Sequence, residues 1–320
     1  GASNCKIYDN IMTLNVNSGI AEGNNAANNL IYSNIFQENP GVAINLTQHS
    51  TSNTIYNNTI ILNSIGLNIE SGGNTIYWNI FIDNTNQTHV ENLLHNTWDN
   101  GYPDGGNYWS NYVNVDVCSG PFQNEAGSDG IFDTQCTIAI NNIDLYPLVK
   151  PFSPHDIGIT NVIPSKTIIG QGFTLRIESK IINYGIHNEA FNVTVYANTT
   201  IIATQTITLT RRNSTITTFT WNTTGFAKGN YTINAIASVV SGEIDTLDNT
   251  QEGGTVKVGV PGDLNGDGKC NLSDLVKVAG KFGKSLGDPG YDPNYDMNDD
   301  DKINLSDLVK VARHFGTTDP

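Results

Sequence analysis

The sequence predicts a mainly β chain in three parts: a short parallel β-helix, a seven-stranded β-sandwich and a small helical module built on paired metal-binding loops. Three observations carry this. Ile-Tyr pairs recur at positions 7, 31, 55 and 76. Apolar and polar residues alternate with period two through residues 152–260. One acidic twelve-residue pattern appears twice, as DLNGDGKCNLSD from Asp263 and DMNDDDKINLSD from Asp296. A chain of 320 residues is long enough for two or three such domains.

In the first part, KIYDNIM, LIYSNIF, TIYNNTI and TIYWNIF begin at Lys6, Leu30, Thr54 and Thr75. A period near 24 residues marks stacked supersecondary units. Each unit holds Ile-rich stretches too short to bury themselves, so they bury by stacking on the next turn, ~4.8 Å away. Ile7, Ile31, Ile55 and Ile76 are expected to form one inward column. Asn10, Asn34, Asn58 and Asn79 are expected to form a ladder of amides along the axis. A β-sandwich with coincidental periodicity is the alternative. Together with NTWDNGYPDGGNYWSNY (96–112), GSDGIFD (127–133) and NNIDLYPLVKP (141–151), the pattern resembles the NosD-like right-handed β-helix family, in its archaeal form. The resemblance implies a right-handed solenoid over 1–151, closed by a loop region. Trp98, Tyr102, Tyr108, Trp109 and Tyr112 are expected to cap its end rather than stack on sugars.

Solenoids of this type often act on polysaccharides, through paired carboxylates or a basic residue assisted by Ca²⁺. The first 150 residues offer only Lys6 and Lys150 as bases. The candidate acids Asp99, Asp104, Asp116, Asp129 and Asp133 all sit in Gly/Asn-rich turns, which explains them without catalysis. No catalytic residue is assigned and no enzyme is expected. The NosD name is tied to copper, yet six scattered His and two Met make no copper site.

In the second part, Leu175 and Ile177 alternate with Arg176 and Glu178, and Val193 and Val195 with Asn192 and Thr194. Strands are expected at 156–163, 172–183, 190–198, 201–210, 214–221, 229–240 and 254–260. Seven strands over 152–260 argue an immunoglobulin-like sandwich. HDIGITNVIPSKTIIGQG, FNVTVYANTTIIATQTITL and TWNTTGFAKGNYTINA resemble a CARDB domain, a cell-surface adhesion-type module. The fold alone assigns it no function.

The third part, 261–320, explains the doubled pattern. Calcium loops place oxygen ligands at positions 1, 3, 5, 7, 9 and 12 of twelve residues. In the first loop these are Asp263, Asn265, Asp267, the Lys269 carbonyl, Asn271 and Asp274. In the second they are Asp296, Asn298, Asp300, the Lys302 carbonyl, Asn304 and Asp307. Gly268 supplies the sharp turn at position 6; the second loop has Asp301 there. A helix follows each loop, opening with NLSDLVKVA at 271 and at 304. Leu275, Val276, Val278, Ala279 and Phe282, and their twins Leu308, Val309, Val311, Ala312 and Phe315, are expected to pack the two helices together. Two EF-hand-like loop–helix units 33 residues apart (296 minus 263), with Asp at position 12, resemble a type I dockerin. The resemblance implies two Ca²⁺ ions and a cohesin-like partner. Its contact residues at positions 10 and 11 are Leu272 and Ser273, and Leu305 and Ser306. The usual Ser-Thr-like pair is absent, which leaves the partner's identity open.

Charge divides along the same lines. Residues 1–150 carry 13 acids and two bases, residues 151–261 seven of each, and residues 262–320 eleven Asp and seven bases, for a net of −15. Such a chain repels nucleic acid and anionic membranes. No apolar run approaches the ~20 residues that span a bilayer. The chain opens inside a repeat, so either a leader has been removed or the sequence is a fragment. N-x-S/T sequons at Asn45, Asn57, Asn86, Asn192, Asn198, Asn213, Asn222 and Asn230, with Asn271 and Asn304 in the calcium loops, point to a secreted glycoprotein. Cys118 and Cys136 bracket a Gly/Asp-rich loop and are expected to form a disulfide; Cys5 and Cys270 are either isolated thiols or a link between molecules.

The first coil shows no capping segment, and uncovered apolar strand ends are sticky. The function expected is therefore an extracellular structural or adhesion protein, a calcium-dependent subunit of a surface layer or filament that joins other copies head to tail. A glycan-binding protein docked on a cohesin-like scaffold and a polysaccharide lyase or hydrolase are the alternatives.

Overall fold

The computed structural model describes residues 2–23, 25–91 and 94–318. The chain divides into two compact units. One holds 1–155 with 183–188 and 210–214; the other holds 156–182, 189–209 and 215–320. The sandwich segment and the calcium-loop segment thus share one unit.

The first unit is a solenoid of three parallel sheets. Strands Lys6–Tyr8, Leu30–Tyr32, Thr54–Tyr56 and Thr75–Tyr77 stack in one sheet. Ile11–Thr13, Ile35–Gln37, Thr59–Ile61, Ile80–Ile82 and Tyr108–Trp109 form the second. Ser18–Glu22, Val42–Leu46, Ile65–Ile69 and Asn86–Val90 form the third. Ile7, Ile31, Ile55 and Ile76 lie in register, and the last three are fully buried. Alternation turns the adjacent tyrosines outward: Tyr8, Tyr32, Tyr56 and Tyr77 stack at 5.0, 4.9 and 5.4 Å between ring centroids. The second sheet sends Phe36, Ile60 and Phe81 inward, and Phe81 stacks on the buried Trp109 at 4.4 Å.

The corners use one repeated device. A residue in the left-handed region is followed by an asparagine, as at Ser33–Asn34, Asn57–Asn58 and Trp78–Asn79. The left-handed conformation costs an L-residue about 1–2 kcal/mol, and the hydrogen bonds of the next asparagine offset it. Asn34 Oδ1 accepts both the N–H and the Nδ2–H of Asn10, at 3.1 and 3.0 Å. Asn58, Asn79 and Asn107 continue the chain of amides. The sequence predicts this one ladder; the described residues form three. Asn29, Asn53, Asn74, Asn96 and Asn142 make the second, and Asn15, Asn39, Asn63 and Asn84 the third.

The disulfide expected between Cys118 and Cys136 is not formed; both are free thiols. The reason is topological. Cys118 pairs with Ala126 in one short hairpin, and Cys136 with Asp144 in another, packed against the solenoid core. Carboxylates and amides close the intervening loop instead: Asp116 accepts the N–H groups of Asp129 and Gly130 at 3.1 and 3.0 Å. Cys5 is exposed. Cys270 is buried, with Sγ 3.4 Å from the Val311 carbonyl, so of these two it is Cys5 that is placed to meet another molecule.

In the second unit, strands Ile157–Pro164, Thr174–Asn183 and Asn213–Asn222 form a three-stranded sheet. Ile168–Gly170, Thr250–Gly259, Gly229–Ala237, Glu189–Ala197 and Thr200–Leu209 form a five-stranded one. Leu175, Ile177, Phe219 and Trp221 on the first sheet and Val193, Val195, Ile233 and Val256 on the second share one core. The seven expected strands are all present. An eighth, Ile168–Gly170, runs parallel to Thr250–Gly259; at three residues it is too short to show alternation. The tail adds helix α1 (Leu272–Gly280) and helix α2 (Leu305–Arg313) around a core of Leu264, Cys270, Val278, Met297, Ile303 and Val311.

Candidate metal centre

Each doubled loop curls around its first aspartate. Asp263 Oδ1 accepts the N–H of Gly266 at 2.7 Å, and Oδ2 that of Gly268 at 2.8 Å. Asp296 Oδ1 takes the N–H of Asp300 at 3.2 Å, and Oδ2 that of Asp301 at 2.8 Å. The last aspartate closes the loop onto its helix. Asp274 accepts from Leu264 N–H and Asn271 N–H, and Asp307 from Met297 N–H and Asn304 N–H. Positions 1 and 12 of both loops are thus held together by backbone bonds. Short bridges from Lys269 to Thr318 and from Lys302 to Ser285 fix the chain where the position-7 carbonyls lie.

Position 9 serves the helices. Asn271 and Asn304 are N-caps whose side chains accept the N–H of Ser273 and Ser306, each at 2.7 Å, in full capping boxes with Asp274 and Asp307. Backbone bonds bring positions 1 and 12 together in each loop, Asp267 and Asp300 accept the N–H of Lys269 and Lys302 at 2.9 and 3.1 Å, and the two asparagines are engaged in capping.

The residues fit a divalent cation. Asp263, Asp274, Asp296 and Asp307 are all fully buried. Four buried carboxylates need positive charge nearby. Asn298 Oδ1, at position 3 of the second loop, is a buried oxygen with no hydrogen-bond partner. Burial pushes Asp307 above the usual carboxylate range, more than its three backbone donors lower it. Oxygen donors of this kind, with no sulfur or imidazole, suit a hard cation such as Ca²⁺.

Residues 261–316 match the dockerin type I domain model.

This dockerin-like segment differs from expectation at its helices. Of the apolar residues expected to pack them together, only Leu275, Val278, Leu308 and Val311 turn inward. Leu272, Val276, Ala279 and Phe282 lie outward at i, i+4, i+7 and i+10, and Leu305, Val309, Ala312 and Phe315 repeat the stripe. At 100° per residue, one helix cannot turn all of them to the same side. Leu272 is 66% and Leu305 63% exposed, and Ser273 and Ser306 lie beside them on the surface.

Elsewhere, residues 1–114 match the model of the periplasmic copper-binding protein (NosD) family. A CARDB domain from Pyrococcus furiosus, solved in complex with di-metal ions, is 24% identical over 35% of this chain and 99% of its own, with a TM-score of 0.30. A domain of a putative cell surface protein from Methanosarcina acetivorans is 22% identical over 31% of this chain and 92% of its own, with a TM-score of 0.25. A β-glucosidase from Erythrobacter marinus is 17% identical, covering 36% of this chain and 17% of that enzyme, with a TM-score of 0.27. No curated protein matches the chain at a significant level.

The candidate acids of the solenoid are held by structural bonds. Asp99 accepts Gly101 N–H, Asp104 meets the Arg211 guanidinium at 2.8 Å, Asp129 accepts Ile131 N–H, and Asp133 accepts Cys118 N–H. Asp144, which the sequence did not single out, is fully buried. It accepts Asn107 N–H and Trp109 Nε1–H at 2.8 and 2.9 Å, ending the first ladder. Burial pushes it up to about 7, and Asp116 likewise. Trp98 and Trp109 are buried beneath the last coil, leaving no indole face for a sugar.

Sequence reading also passed over Asp156, Asp245 and Asp248 of the sandwich. One carboxylate oxygen from each lies within 4.8 Å of the others, beside Glu243, which accepts Ile157 N–H and Val240 N–H. Asp156 lies far from Asp245 and Asp248 in sequence, and the fold joins it to them. Six of the sequon asparagines outside the calcium loops, Asn86, Asn192, Asn198, Asn213, Asn222 and Asn230, are exposed; Asn45 and Asn57 are half-buried. No helix of the described residues is long and apolar enough to cross a membrane.

Proposed function

We infer that this chain is an extracellular, calcium-binding surface protein whose dockerin module grips a cohesin-like partner and so places the solenoid and sandwich at a cell surface or scaffold. The observation that carries the reading is the duplicated outward stripe, Leu272–Val276–Ala279–Phe282 and Leu305–Val309–Ala312–Phe315. Monomeric proteins rarely leave such apolar residues clustered without a partner. Each stripe grows from a helix whose first turn is closed by the last aspartate of a loop, so an ion at the loop sets the direction of the stripe.

In site 1 the ion is held by Asp263, Asn265, Asp267, the Lys269 carbonyl and Asp274. In site 2 it is held by Asp296, Asn298, Asp300, the Lys302 carbonyl and Asp307. Asn271 and Asn304 act through the helix cap. When bound, the ion supplies the positive charge that these carboxylates lack. The solenoid and sandwich act as non-catalytic binding or spacing modules, a reading supported by the structural bonds that occupy the candidate acids.

The test is capture of a cohesin domain by the full chain, with calcium and with chelator. Leu272→Asp combined with Leu305→Asp is expected to abolish capture while leaving helix content unchanged. Sedimentation of the chain alone separates the other reading. Calcium-dependent oligomers, lost in the same double variant, would make another copy the partner and the assembly a head-to-tail layer or filament. A monomer that ignores cohesin in calcium would overturn both.

A further inference from the structure

The two loops differ in charge, and the difference is matched elsewhere in the same unit. The second loop carries five aspartates (Asp296, Asp299, Asp300, Asp301, Asp307) and the first carries three (Asp263, Asp267, Asp274). The surplus of two falls at positions 4 and 6, where the first loop has Gly266 and Gly268. All four of these residues adopt positive φ: +76° and +84° for the glycines, +60° and +66° for Asp299 and Asp301. Glycine takes that conformation freely, and aspartate does so at a cost. The second loop therefore accepts strain at two positions, and both of the strained residues meet a cation of the sandwich.

Lys166 Nζ lies 3.4 Å from Asp299 Oδ1, with both side chains almost entirely buried. Arg176 reaches Asp299 Oδ2 through Nε at 3.1 Å and grips both oxygens of Asp301 with its other nitrogens. The strip around them is fastened too. Asn294 Oδ1 accepts the N–H of Thr167 and Ile168 at 2.9 and 3.2 Å, and the Tyr291 hydroxyl donates to the ligand Asp296 at 2.9 Å. Among the described residues, the comparable tie of the first loop runs from Lys257 Nζ to the Gly266 carbonyl. With the two surplus acids paired, each loop is left with three carboxylates among its predicted ligands.

We propose that the sandwich is part of the second calcium site: Lys166 and Arg176 are positioning residues that hold the loop in its chelating form through Asp299 and Asp301, so calcium orders mainly the first loop. A buried ion pair with shared geometry resists opening, because separating it leaves a charge buried alone. The second loop and its stripe stay formed when calcium is scarce. The first loop and its stripe form as calcium rises.

The proposal rests on the loops binding calcium, and hydrogen exchange on the full chain tests the two ideas separately. Amides of Gly266, Asp267 and Gly268 report on the first loop, and those of Asp300 and Asp301 on the second. Chelator is expected to speed exchange in the first loop by at least about tenfold more than in the second. In the variant Asp299→Gly with Asp301→Gly, which leaves every ligand in place and relieves the positive-φ strain, that difference should disappear. Arg176→Met should reduce it. Equal responses in the native chain, or a difference that survives in the double variant, would overturn the proposal. If calcium itself changes neither loop, the calcium reading fails. Exchange of the second loop in the variant against the native chain, without calcium, then still decides whether the sandwich holds it.

Discussion

Gly106 has no room for a side chain: a Cβ there would lie 1.8 Å from Asp144 Oδ1. Moving that carboxyl would strip acceptors from Asn107 N–H and Trp109 Nε1–H at the buried end of the solenoid. Gly106→Ala is expected to cost about 2–3 kcal/mol in urea unfolding, by overpacking. Asp144 and Asp116 also set a pH dependence. Burial raises both to about 7, above their unfolded values, so the folded chain binds these protons more tightly. Their stabilising contribution is complete below the unfolded carboxylate range and is lost as pH rises through about 7. In a Trp221→Phe background the remaining tryptophans, Trp78, Trp98 and Trp109, all belong to the first unit. Their fluorescence in urea should show a lower midpoint at pH 8 than at pH 5, and Asp144→Asn should shrink the gap. An unchanged gap would remove Asp144 from the account.

Among the elements, the ladders show what a sequence can reveal and what it hides. Asn10, Asn34, Asn58 and Asn79 were legible because each follows an Ile-Tyr pair at constant spacing. The other two ladders share that spacing but lie among more variable neighbours, and Cys5 stands where the second would begin. Asn58 donates to the Ile31 and Tyr56 carbonyls and to Asn79 Oδ1, and it accepts from Asn34. Asn58→Ala should therefore cost at least about 2 kcal/mol by urea titration, as buried partners are left unpaired. A change near zero would mean the coils stack on their aliphatic columns alone. The seven long sandwich strands were legible from alternation, and the two acidic loops with their helices from the repeated twelve-residue pattern. The disulfide was misread because loop length says nothing of where two thiols point. The helix faces were misread because a list of apolar residues ignores the turn of the helix. Asp301, where the first loop has Gly268, has no visible role in the sequence, because its partner Arg176 lies 125 positions away.

At the scale of the whole chain, three repeated or paired devices follow one logic. The coils bury short strands by stacking, the sandwich buries alternate residues between sheets, and the tail closes two loops around buried acids. On the proposed reading the tail depends on something outside the chain: Asp263, Asp274, Asp296 and Asp307 are fully buried, and a small module has little apolar core to compensate for them. Binding an ion to the folded form alone would stabilise it by mass action. Calorimetric titration of the chelator-stripped full chain with calcium measures this directly. The account predicts saturation at two ions per chain, falling to one in Asp274→Ala; absence of binding heat, or a stoichiometry that Asp274→Ala leaves unchanged, would contradict it.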